Sequence, residues 1–195
     1  VHVYNDESIL RCIDAGVLSI DHATLMTEKS AKAIKEADVW VVPYFSLLGL
    51  DIDTVAKALG PQAVEKFLAV QKGAKAQMRL LKEFKIRKVG VSTDIIGDPV
   101  ALTKQNNEFG YRLHGWSSYE ILLQATSLNA ELMALCGKLN PYTDGPLGVI
   151  VEGAYADLIL VDGNPVEDIK VLEDYENNMK LIMKDGEIYK NTLGK

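Results

Sequence analysis

The run Val39 to Pro43, Val-Trp-Val-Val-Pro, is apolar and β-branched at consecutive positions, which is the composition of a strand covered on both faces. Such a strand needs helices above and below it, and the flanking sequence supplies them. Val1 to Tyr4 reads as a strand, and Asn5 with Asp6 can cap a helix whose apolar positions Ile9, Leu10 and Ile13 share a face and which Gly16 closes. Val17 to Ile20 is a second apolar run ending in Asp21-His22, and Thr27 with Glu28 opens a helix through Ile34. Residues 44 to 60 read as a long irregular connection. Gly60-Pro61 then opens the longest helical pattern, with Val64, Phe67, Leu68, Met78 and Leu81 on one side and an end near Lys85. Lys88 to Ser92 gives a fourth short strand ending in Thr93-Asp94, followed by a loop with Gly97 and Pro99. Ser117 and Glu120 form a capping box for a helical stretch towards Gly137. Alternation of this kind predicts an α/β fold on a parallel sheet, either a barrel or an open sheet.

Near Asn140-Pro141 the pattern changes, with Gly145, Pro146, Gly148 and Gly153 punctuating the chain. Beyond that point the sequence reads as β: Ala156 to Val161 as a strand, and Leu181 to Tyr189 as a hairpin turning at Asp185-Gly186. We place a domain boundary at about residue 144, giving domains 1–143 and 144–195. The 195 residues, 48% apolar and 25% charged, are those of an ordinary folded protein and exclude disorder as the main theme. A net charge of -6 spread along the chain gives no footprint for nucleic acid or anionic lipid, and no apolar run reaches the length of a membrane span. Cys12 and Cys136 lie in apolar helical stretches without paired spacing and read as reduced core thiols, which fits a cytoplasmic protein. Phosphate-binding glycine loops and a Gly-x-Ser-x-Gly elbow are missing, which argues against nucleotide enzymes and α/β-hydrolases.

His2, His22 and Asp94 each fall at or near the carboxyl end of a predicted strand, where barrels and open α/β sheets place their chemistry. Singly, each has an ordinary explanation as a hydrogen-bonded or helix-capping residue. Together they supply imidazole and carboxylate, the donors that Zn²⁺ and similar ions take, yet they leave a single ion short of a closed shell. His114, ahead of Gly115-Trp116, has no predicted strand beneath it and reads as a surface residue. Asp157 and Asp162 read as turn residues, and Glu173, Asp174 and Glu176 as a solvated face.

The segments His2-Val3-Tyr4, Ser19-Ile20-Asp21-His22, Val91-Ser92-Thr93-Asp94 and Ala156 to Pro165 stand in the order and rough spacing of the amidohydrolase superfamily. The sequence resembles its imidazolonepropionase-like and Xaa-Pro-dipeptidase-like members, and specifically their C-terminal half. The resemblance implies strands 5 to 8 of a (β/α)8 TIM barrel followed by part of a small β-sandwich. It makes His2 the end of the fifth strand, His22 of the sixth and Asp94 of the eighth, with Val39 to Pro43 as the seventh. On that reading the cofactor is a divalent metal, zinc by preference, as one or two ions. His2 and His22 would bind the second metal, and Asp94 would bind the first and act as the catalytic base. Tyr4 would touch a substrate carboxylate, with simple packing at a strand end an equal alternative.

The family's first-strand His-x-His pair and fourth-strand lysine have no counterpart in this sequence. A full barrel takes ~250 residues, so four strands imply a partner: the other half of the barrel as a separate chain or segment, or a second copy of this chain. The implied activity is hydrolysis of an amide or related C–N bond, in a dipeptide or cyclic amide. The alternative is a non-catalytic subunit that keeps the scaffold and acts by association.

Overall fold

The computed structural model describes residues 1–95 and 99–194, and the chain falls into two compact units, Val1–Gly97 and Asp98–Lys195. In the first unit a parallel three-stranded sheet is formed by β1 (His2–Asn5), β2 (Ser19–Leu25) and β3 (Trp40–Val42), in that order. A fourth segment joins β3 through a single parallel bridge, Val41 to Val89, in which Val41 N–H donates to the Lys88 carbonyl and Gly90 N–H to the Val41 carbonyl. The expected fourth strand is thus reduced to one bridge. The strands alternate with α1 (Asp6–Asp14), α2 (Glu28–Ala37), α3 (Ile52–Leu59) and α4 (Val64–Glu83), the α/β order read from the sequence.

Local chemistry sets the helix boundaries. Asn5 caps α1 by accepting from Ser8 N–H, and Gly16 follows its last turn with a positive φ of 76°. Thr27 caps α2, and Ser30 completes a capping box in place of the usual Glu. The stretch 44 to 60 is more ordered than its sequence suggests: a 3-10 turn, Ser46–Gly49, precedes α3, which Asp51 caps by accepting from Thr54 N–H. The burial of α4 also differs from the expected stripe. Its C-terminal half buries Ala74, Gln77, Met78, Leu80 and Leu81 against β2 and α2, whereas Leu68 in the first half is exposed. Gly73 allows the close approach, because a Cβ there would stand 2.6 Å from the Thr24 carbonyl oxygen.

The second unit contains α5 (Pro99–Leu102), α6 (Asn107–Arg112), α7 (Ser118–Leu123), a π-helical turn Gln124–Leu128, and α8 (Asn129–Ala134). Of the expected loop, Gly97 lies outside the described residues and Pro99 opens α5. The Ser117–Glu120 capping box forms as its spacing implies. Arg112 is fully buried, donates to Glu108 Oε1 at 2.8 Å and to Gln124 Oε1 at 2.9 Å, and lies over the Trp116 ring.

Next come β4 (Leu158–Val161), α9 (Tyr175–Asn178), β5 (Met179–Lys184) and β6 (Glu187–Asn191), the strands forming an antiparallel sheet in the order β4-β5-β6. The β5–β6 turn has Asp185 and Gly186 at φ 50° and 78°, the left-handed pair that a two-residue hairpin requires. The expected uniform β pattern is interrupted by a 3-10 turn at Ile169–Leu172 and by α9. Asp157 serves its turn as expected, accepting from Lys184 Nζ and Asp185 N–H.

Two side-chain expectations are corrected. Cys12 of α1 is only half-buried, and Cys136 is exposed in the turn that follows α8. Glu173 is half-buried beside Gly110 instead of solvated, and burial raises its pKa. Among the described residues no helix is long and apolar enough to cross a membrane.

Asp6 joins the first βα unit to the second. Its carboxylate accepts from Thr27 N–H at 2.9 Å, Thr27 Oγ1 at 2.5 Å and Ser30 Oγ at 2.5 Å. Partial burial works to raise its pKa, but the Ser30 and Thr27 donors together outweigh burial and hold it below 3.8. The folded state then binds fewer protons than the unfolded chain, so the contribution is full above the unfolded value and is lost as pH falls through the lower folded one. Asp6→Ala should cost about 1–2 kcal/mol at neutral pH. In urea melts the difference from wild type should shrink as the pH is taken below that range.

Candidate functional site

The register of the parallel sheet brings the two histidines together, and a backbone kink turns them towards each other. His2 pairs with Asp21, and Val3 with His22. In a regular sheet paired residues share a face and neighbours along a strand alternate, which would send the His22 ring to the side of Val3, away from His2 and Tyr4. The ladder to β3 ends at Asp21–Val42, and immediately beyond it His22 and Ala23 adopt φ of 71° and 53°. With the strand turned in this way, His22 lies against both His2 and Tyr4.

His2 Nδ1 and His22 Nε2 are 3.3 Å apart. The Tyr4 ring stacks on His22 at 4.9 Å and 4°, and edges His2 at 5.1 Å. Tyr44 meets His22 edge-on at 5.1 Å. Asp94, itself at φ 51°, places Oδ2 4.0 Å from His22 Nδ1, an ion-pair distance too long for a hydrogen bond. The loop beneath it is held by Ser46, whose hydroxyl donates to the Thr93 carbonyl at 2.9 Å. His22 is buried, while His2 and Asp94 are exposed.

Burial pushes the His22 pKa below the ordinary histidine value; Asp94 works against this and the neighbouring His2 with it. Burial thus favours the neutral imidazole, the form that binds metals. Two nitrogens on one tetrahedral zinc, each at ~2.0–2.1 Å, stand ~3.3–3.4 Å apart, so the His2–His22 separation suits two donors to one ion. The buried His22 Nδ1 has no hydrogen-bond partner among the described residues. No group of three His, Cys, Asp or Glu side chains close enough to hold an ion forms among those residues. The site thus presents a two-nitrogen jaw with a carboxylate behind one ring.

The strands run past the histidines, so His2 opens β1 and His22 sits at the kink inside β2 instead of at a strand end. His114 is exposed just beyond α6, in the second unit. Two neighbours of the pair were not singled out from sequence. Tyr44 stands two residues past β3. Gln77 is fully buried and donates from Nε2 to the His22 carbonyl; its signal was a polar residue within the apolar spacing of Ala74, Met78 and Leu81.

No protein-family model matches the chain. It is similar to ochratoxinase of Aspergillus niger, with 28% identity over 190 residues that cover 97% of this chain and 37% of that protein. Among solved structures, an amidohydrolase aligns with a TM-score of 0.83 and 29% identity, over 98% of this chain and 44% of that one. A prolidase complexed with N-methylphosphonate-L-proline aligns with a TM-score of 0.81 and 31% identity, over 97% and 44%. A Xaa-Pro dipeptidase with methionine bound in its active site gives 0.80 and 30%, over 98% and 44%. The chain therefore spans less than half the length of these relatives.

In the metal-free protein, Asp94→Asn removes the countercharge that opposes burial, so the His22 pKa should fall further. His2→Ala removes the neighbouring imidazole that works to lower the His22 pKa and should raise it. Histidine ring NMR titrations of both variants check the two directions.

Proposed function

We propose that this chain, which resembles amidohydrolases over nearly all of its length, carries part of the active site of a metal-dependent hydrolase acting on an amide or related C–N bond. A dipeptide or a cyclic amide is the substrate class. The observation that carries the reading is the His2–His22 pair, whose facing nitrogens lie 3.3 Å apart beside the Asp94 carboxylate.

On this reading His2 and His22 hold a divalent metal, zinc by preference, as one of one or two ions. When bound, such an ion lowers the pKa of water and polarises the scissile carbonyl. The neutral His22 ring keeps its lone pair available, and the kinked strand fixes its direction. Asp94 binds metal as well and is the catalytic base: its carboxylate takes a proton from the attacking water and delivers it to the leaving amine. Tyr4, stacked on His22, donates its hydroxyl to a substrate carboxylate. Ile20, Ala23 and Val41 of the same sheet are fully buried, and an apolar sheet interior of low dielectric strengthens charge interactions beside it.

The remaining metal donors come from outside the described residues. We assign them to the other half of a (β/α)8 barrel, with residues 1–143 contributing strands 5 to 8 and residues 144–195 part of a β-sandwich. A second copy of the chain is the alternative source. The cytoplasmic, reduced setting inferred from the two unpaired cysteines belongs to the same proposal.

In the active hydrolase that contains this chain, Asp94→Asn should lower kcat by ~10²–10⁴-fold, the range for loss of a general base, with Tm nearly unchanged. Wild-type turnover in that variant would remove Asp94 from the mechanism. His114→Ala should leave metal content per chain, measured by elemental analysis, at the wild-type value; metal lost there would mean that the ligands are wrongly assigned. A wild-type protein that binds no metal under any loading condition would favour the association role over catalysis.

A further inference from the structure

We propose that Gln77 is a positioning residue for the histidine pair: from the buried face of α4 it locks the left-handed kink of β2 that sets the His22 ring against His2. Its importance for metal binding rests on the reading in the preceding subsection, whereas its effect on the two rings does not.

The kink is the place where β2 departs from regular pairing. The ladder to β3 stops at Asp21, the register to β1 shifts between Val3 and Asn5, and both His22 and Ala23 have positive φ. The peptide group between these two residues lies at the centre of the kink, and its carbonyl is the acceptor that Gln77 engages. Only an amide NH2 can face a carbonyl oxygen, so the orientation of the Gln77 side chain is fixed by chemistry. One helical turn earlier, Gly73 lets α4 settle onto the strand, since any Cβ there would stand 2.6 Å from the Thr24 oxygen and 2.7 Å from Leu25 Cδ2. Helix and kink are therefore matched over Thr24 and His22 by residues four apart on one face of α4.

Stability alone does not account for a glutamine at this point. Its Oε1 is buried and has no hydrogen-bond partner among the described residues. A methionine of similar length would fill the space without burying an unpaired amide oxygen. What methionine would lack is the donor to the His22 carbonyl.

The test uses the whole chain with ¹⁵N-labelled histidine, in wild type, Gln77→Met, Gln77→Glu and Met78→Ala. Met78 is buried one position further along α4 and serves as a packing control. Two readouts are taken: the NOE between the His2 and His22 rings with their ¹⁵N shifts, and Co²⁺ binding followed by visible absorption. Both Gln77 variants should lose the ring contact and bind Co²⁺ at least tenfold more weakly. Met78→Ala should keep the ring contact even where its Tm falls as far or further. Retained ring contact in Gln77→Met and Gln77→Glu overturns the proposal, as does equal loss in Met78→Ala, which would mean general loosening. If wild type takes up no Co²⁺, or His2→Ala binds it as tightly, the metal reading fails on its own and the ring contact still decides the role of Gln77. Should Gln77→Glu fail to fold, the near-isosteric Gln77→Met carries the test.

Discussion

Everything at the candidate site depends on two consecutive non-glycine residues held in the left-handed region in the middle of a strand. Such a conformation costs about 1–2 kcal/mol per residue, and strand pairing compensates only in part, because the ladder to β3 stops at Asp21 and the register to β1 shifts just beyond His22. The surroundings must supply the rest. Ala23 and Ile20 are completely buried, and α4 packs against β2 through Gly73 and Gln77. The aim of the imidazole therefore rests on the contacts at Gly73 and Gln77, while the other buried residues of α4 supply packing. Strain at such a position persists only where the structure around it over-determines the backbone.

The two histidines differ in what the fold does to them. His22 is enclosed by Tyr4, Tyr44 and the sheet, with its charge state set by burial first and by Asp94 second. His2 stands exposed on the short strand β1. One donor is rigid and desolvated and the other is accessible. A stacked tyrosine adds direction, since a ring parallel to His22 at 4.9 Å restricts imidazole rotation without occupying either nitrogen.

Much of the frame was legible in the sequence because it is written in local chemistry. The caps at Asn5, Thr27 and Ser117, the β-branched run around Val41 and the Asp185-Gly186 turn act through near neighbours, and each sits where its residues indicate. The helix Ile52–Leu59 was missed because its short apolar pattern lies between glycines and a proline, and its cap, Asp51, is visible only once the helix is known. The kink at His22–Ala23 was not legible at all: neither residue is glycine, and the conformation is imposed by α4, some fifty residues away in the chain. His22 and His2 could be named as candidates from residue type and strand position, but the alternation rule alone would have placed them on opposite faces.

Two imidazole nitrogens cannot close a metal shell, and that sets what this chain can contribute under the proposed reading. A tetrahedral ion held by only two donors is exchanged readily with solvent, because each further ligand adds binding energy that the pair alone does not provide. A pair fixed in advance at the separation of a tetrahedral edge contributes its geometry instead. The ordering cost of two side chains has already been met by folding, so donors arriving from elsewhere meet a site whose direction is set. The orphaned Nδ1 of His22 belongs to the same account. With Nε2 turned to His2, the other nitrogen faces Asp94 at 4.0 Å, and a small inward movement of that exposed carboxylate would convert an ion-pair distance into a hydrogen bond. That bond would fix the His22 tautomer with its proton on Nδ1 and its lone pair on Nε2, the state a metal ligand requires.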